Sequence, residues 1–143
     1  MSSWRDSAST QAQADLDALL GPALDVAQQQ LSQRGAFYPY AVAVSAAGEQ
    51  EIVTADLEDD LPASSAVITA LVETLSARRD QLRAIALFAD TRAPQLGGDA
   101  VRVTLEHREG AVMAVLSPYS RRCLRGGIQY GQLQATAADS YIW

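Results

Sequence analysis

Residues 100–117 read AVRVTLEHREGAVMAVLS, two apolar runs that are joined by Glu109-Gly110. The runs, Ala100–Arg108 and Ala111–Tyr119, are rich in the branched residues that strands favour. A short polar pair ending in glycine is typical of the tight turn of a β-hairpin. We therefore predict that the two runs pair directly, as neighbours in an antiparallel sheet.

The first run alternates along its length, as a strand with two different faces does. One face carries Val101, Val103, Leu105 and His107, and the other carries Arg102, Thr104, Glu106 and Arg108. The apolar face belongs to a core. We expect the charged face to meet water.

Helical and strand-like segments surround this hairpin. Apolar residues recur at helical spacing from Thr10, but Gly21-Pro22 interrupts them, and proline breaks or kinks a helix. We expect a break or a kink there and two principal helices, at Pro22–Arg34 and Ser65–Arg79. The strand-like segments are Phe37–Ser45, Glu51–Thr54, Leu82–Asp90, Ala100–Arg108, Ala111–Tyr119 and Ile128–Leu133. The prediction is one α+β domain over residues 1–143, with a single antiparallel sheet of five or six strands and two helices packed on it.

This order of elements, over roughly Leu16 to Tyr119, resembles the roadblock, longin and profilin group. The resemblance implies a five-stranded antiparallel sheet flanked by helices, used as a platform for protein partners. Two departures are an absent final helix and an added strand in its place. The stretches 35–40, 106–110 and 121–127 are also similar to those of small actinobacterial proteins, a resemblance that assigns no residue a role.

Composition excludes several classes of protein. One cysteine, Cys123, cannot form an internal disulfide, and one histidine, His107, cannot supply the imidazoles that most zinc sites use. No stretch approaches the ~20 apolar residues of a membrane helix. We expect a cytoplasmic protein without metal or cofactor.

Charge is unevenly distributed along the chain. Residues 1–60 carry a formal charge of −8, and residues 61–143 carry +2. A continuous basic face, as nucleic-acid or membrane binding requires, is not indicated. An acidic half and a mildly basic half favour self-association instead.

The segment 121–127, RRCLRGG, is the candidate ligand site. Arginines can fork onto the oxygens of an anion or an acidic partner, so Arg121, Arg122 and Arg125 are candidate binding residues. The same arginines would favour a thiolate at Cys123. A small-molecule or anion-binding enzyme that uses this loop with Cys123 and His107 is therefore an alternative function, although a nucleophile also needs a base and a group that orients it.

The last three residues, Tyr141, Ile142 and Trp143, are unusually apolar. Terminal residues fray unless something holds them, so these residues predict either an interface between two copies or a tail that folds back over its own sheet. The main hypothesis is a non-enzymatic protein-interaction module, a homodimer or the binder of another protein. A further alternative is an acidic, immunity-type antagonist of a toxin.

Overall fold

The computed structural model describes residues 9–34, 39–55, 64–93, 98–121 and 128–143. Its class is the predicted one, α+β with two helices packed on one antiparallel sheet. The helices are α1 (Thr10–Arg34) and α2 (Ser64–Ala77), and a 3₁₀ turn follows at Arg79–Gln81. The strands are β1 (Tyr40–Ser45), β2 (Gln50–Val53), β3 (Leu82–Ala93), β4 (Gly98–His107), β5 (Val112–Arg121), β6 (Ile128–Tyr130) and β7 (Gln134–Thr136).

The sheet is six strands wide. Its order is β2-β1-β3-β4-β5-β6, and β7 shares the outer edge of β5 with β6. The hairpin predicted at Glu109-Gly110 is confirmed, because β4 and β5 pair directly with Leu105 opposite Met113. Gly110 has a φ of 97°, a conformation that favours glycine.

Helix α1 covers one face of the sheet. Its Leu16, Leu19, Leu24, Ala27 and Leu31 share a core cluster with strand residues such as Phe88 and Val103. The expected break at Gly21-Pro22 is wrong, since one helix runs from Thr10 to Arg34. Its buried leucines lie both before and after Pro22, so packing on a single sheet face offsets the ~3 kcal/mol that proline costs inside a helix.

Helix α2 lies on the opposite face. Val67, Leu71 and Leu75 pack against Ile85 and other apolar residues of β1 and β3, and Ile142 joins the same cluster. This is why the expected wet face of β4 is wrong: Thr104 and Glu106 are fully buried there, and Arg102 is partly buried. Both faces of the central strands are covered.

Among the residues that the structure describes, no helix is both long enough and apolar enough to cross a membrane.

Candidate functional site

A buried polar cluster joins α1 to the centre of the sheet. His107, at the end of β4, is 1% exposed, and its Nε2 lies 2.7 Å from Asp15 Oδ2. The other oxygen of Asp15 accepts hydrogen bonds from Arg83 Nη2 on β3 and Gln11 Nε2 on α1, both at 2.9 Å. One helix is thereby attached to two strands through a single carboxylate.

The Asp15 carboxyl is ionised more readily than an ordinary aspartic acid. Burial opposes its ionisation, but hydrogen bonds from His107, Gln11 and Arg83, together with the charge of Arg83, outweigh that effect and lower its pKa. Asp15 and Arg83 form an ion pair at 2.9 Å. The carboxylate is therefore a charged anchor with partners on three elements.

Both ring nitrogens of His107 are engaged. Its Nε2 is hydrogen-bonded to Asp15, and its Nδ1 accepts the Glu109 backbone N–H at 3.2 Å. An imidazole in this arrangement has no nitrogen left to activate a nucleophile. Cys123, its predicted partner in the enzymatic alternative, lies outside the described residues.

The candidate anion loop is described only at its first residue. Arg121 ends β5, opposite Ile128 of β6, while Arg122, Cys123 and Arg125 lie outside the described residues. The binding of an anion by this loop remains a prediction. Within the described ranges, no group of three or more His, Cys, Asp or Glu side chains could hold a metal ion.

A second buried carboxylate lies on the α2 side of β4. Glu106 is 0% exposed, and the backbone N–H groups of Tyr141, Ile142 and Trp143 donate to it at 2.9, 3.0 and 2.9 Å. The Ser140 hydroxyl donates to the same carboxylate. Successive backbone N–H groups that converge on one anion form a nest, here with the protein's own glutamate as the anion. We call Glu106 and the surface under residues 140–143 the Glu106 site.

The three predicted interface residues of the tail have different surroundings. Ile142 is buried in the cluster beneath α2, and Trp143 is partly buried against it. Tyr141 is 45% exposed. Within one chain the tail thus folds back onto its own sheet, the second of the two readings that the sequence left open.

Among the residues that the structure describes, no strand pairs with the outer edge of β2. The Ser45 N–H donates to the Glu49 carbonyl at 2.8 Å, which marks this pair as hydrogen-bonded. Because antiparallel pairs alternate between bonded and non-bonded, the register that sets Val42 opposite Ile52 turns the N–H and C=O of Gln50 and Ile52 outward. Ile52 is also 59% exposed, the highest fraction of any large apolar side chain among the described residues.

The anchors Asp15 and Glu106 and the β2 edge were not predicted as functional or structural sites. Asp15 carries no local signal, because its partner His107 is 92 positions away. The donors to Glu106 are backbone groups, which every residue other than proline has. For β2, the signal was the hairpin that joins it to β1, because the short second strand of such a hairpin can lie at the edge of a sheet.

Comparisons with protein families, with characterised proteins and with solved structures find no match for this chain.

Proposed function

We propose that the protein is a non-enzymatic interaction module, and that it forms a homodimer by pairing β2 with β2 of a second copy. The observation that carries this proposal is the outward-facing main chain of Gln50 and Ile52 beside an exposed apolar side chain. Unpaired strand edges accept further strands through main-chain hydrogen bonds.

The charges on β2 favour a register in which the two Glu51 side chains do not face each other. If Gln50 lay opposite Ile52 of the second copy, the two Glu51 side chains would face each other, which is unfavourable. If Ile52 lies opposite the second Ile52, each Glu51 lies opposite Val53 instead. Glu51 keeps its ion pair with Arg78 of its own chain, and the two exposed isoleucines cover each other.

The state of His107 supports the non-enzymatic part of the proposal. The one histidine of the chain is used on both nitrogens to hold α1 on the sheet. The enzymatic alternative would need His107 to release Asp15 or Glu109.

Sedimentation at micromolar concentration tests the dimer. We expect the wild type to sediment as a dimer and Ile52→Asp to sediment as a monomer, because the substitution places two carboxylates against each other. Leu133→Asp is the matched control, since Leu133 is 47% exposed and lies between β6 and β7, at the edge of the sheet opposite to β2. A monomeric wild type, or a dimer that survives Ile52→Asp and is lost in Leu133→Asp, would overturn the proposal.

A thermal-shift scan with phosphate, nucleotides and carboxylates tests the alternative. A saturable shift that is lost when Arg121 is changed to glutamine would support the ligand-binding enzyme rather than the interaction module.

A further inference from the structure

We infer that the Glu106 site is a peptide-binding groove, and that it takes the tail of a second copy when its own tail does not occupy it. This inference goes beyond the β2 contact and does not depend on it. The peptide that the site binds is the tail, residues 140–143.

The site makes the contacts of a peptide receptor. Its polar recognition group is one fully buried carboxylate, which accepts three backbone N–H groups and the Ser140 hydroxyl. Its apolar recognition is the burial of Ile142 beneath α2, with Trp143 beside it. A ligand must therefore offer a hydroxyl residue, three following free N–H groups and a branched aliphatic side chain at the third position.

The Glu106 site selects an occupant that supplies hydrogen-bond donors. Glu106 is 0% exposed with the tail in place, so a chain that covers it in this way must pair its carboxylate, because an unpaired buried carboxylate is costly. Glu106 lies opposite Ile85 and Val112, so its two direct cross-strand neighbours offer no cation to compensate it. The chain of a second copy carries the same four donors.

The connection that leads to the tail is weakly attached to the sheet. Strand β7 pairs with β5 over only three residues, and all three are exposed. The residues between β6 and β7 are exposed as well. If β7 detaches together with the tail, the nine residues from Gly131 to Asp139 reach at most about 30 Å when extended. That reach allows the tail to bind a neighbouring molecule, which is exchange of an identical element between copies.

Complementation between two variants tests this inference. The acceptor is a chain that ends at Asp139, which keeps Glu106 and lacks the tail. The donor is Glu106→Gln, which keeps the tail but turns an amide N–H₂ toward the backbone donors and so weakens its own site. Both variants also carry Ile52→Asp, so that the β2 contact contributes nothing to the result.

We expect each variant alone to sediment as a monomer and the equimolar mixture to sediment as a heterodimer, with a higher Tm for the acceptor. A donor with the additional change Ile142→Asp is the control and should form no heterodimer. If the acceptor is folded alone and the mixture stays monomeric, the inference is overturned. If the acceptor is unfolded alone, it must fold on addition of the donor, and failure to do so overturns the inference equally.

Discussion

Two neighbouring residues of β4, Glu106 and His107, carry buried polar groups to opposite faces of the sheet. His107 meets Asp15 of α1, and Glu106 meets the backbone of residues 141–143. Buried polar groups are almost always hydrogen-bonded, so each of these two residues needs a polar partner in the segment that covers its face of the sheet. One strand thereby sets the position of a helix on one side and of the tail on the other.

Asp15→Asn should destabilise the protein at neutral pH by about 2 kcal/mol, because hydrogen bonds to a charged group are lost. The pKa of Asp15 is lowered in the folded chain. Its stabilisation is therefore fully present above the ordinary pKa of aspartic acid, about 4, and is lost as the pH falls through the lowered value. Urea unfolding at a series of pH values should show the difference between wild type and variant shrinking in acid. Asp25→Asn, on the exposed side of the same helix, should show no such convergence.

Glu106→Gln should release the tail before it unfolds the domain. The N–H of Tyr141 donates to one oxygen of the Glu106 carboxylate, and those of Ile142 and Trp143 donate to the other, so an amide in its place leaves at least one of them unpaired. Hydrogen exchange should show protection lost at these three N–H groups and retained in β4 and β5. Glu109→Gln is the control, because Glu109 is exposed. Equal loss of protection in the tail and in β4 would contradict the prediction.

The alternation in residues 101–108 correctly placed His107 on the apolar face, but not its partner. A period of two along a strand says which face a residue is on and nothing about which distant residue approaches it. For Glu106 the same alternation predicted solvent, because a charged residue on the second face of a hairpin is usually exposed. The sequence pattern could not show that a tail with no side-chain cation would bind it.

At the scale of elements, α1 shows how tertiary packing overrides a local break. Gly21 and Pro22 are poor helix residues, yet the apolar stripe continues in phase on both sides of them. The helix therefore stays continuous where the local sequence favours two pieces. The position of the stripe was predictable from sequence, whereas its continuity depended on the sheet beneath.

Gly21→Ala should stabilise the protein, by less than the ~1 kcal/mol of an ordinary helix interior. The backbone is helical and the added methyl group meets no atom within 4 Å outside its chain neighbours, but Pro22 follows and opposes a helical backbone at a residue that has a Cβ. Gly110→Ala is the matched control. Its methyl group also meets open space, but φ is +97°, so the change should be destabilising. Chemical denaturation of both variants should give shifts of opposite sign. Shifts of the same sign would show that space, rather than backbone conformation, decides the effect.

The strands that the sequence predicted are those in which large apolar residues recur over about six positions, or which follow a clear hairpin turn. Strand β7, Gln134–Thr136, was missed because its three residues are exposed and include no large apolar side chain. Its pairing comes from β5, whose outer edge β6 leaves partly free. A strand that forms because a neighbouring strand has a free edge need not have the apolar pattern by which strands are predicted from sequence.

At the scale of the whole molecule, the two edges of the sheet differ in whether a further strand of the chain covers them. Beyond β5 the edge is covered by β6 and β7 of the same chain, whereas β2 has no strand beyond it in the part of the chain that the structure describes. An open edge and an exposed Ile52 thus coincide on one side. The uneven charge of the chain raised self-association as a hypothesis, and the sheet order supplies the surface for it.

Dimerisation through β2 makes stability depend on protein concentration, because a partner that binds only the folded chain stabilises it by mass action. Raising the concentration to about 100 times the dissociation constant should raise the Tm by roughly 5–10 °C for a chain of this size. Calorimetry over a dilution series measures this slope for wild type, Ile52→Asp and Leu133→Asp. We expect the slope to vanish in Ile52→Asp alone, because only that variant places carboxylates against each other across the two-fold axis. A flat wild-type series would show that the β2 edge is left unpaired in solution, and an equal slope in Ile52→Asp would place the contact on another surface.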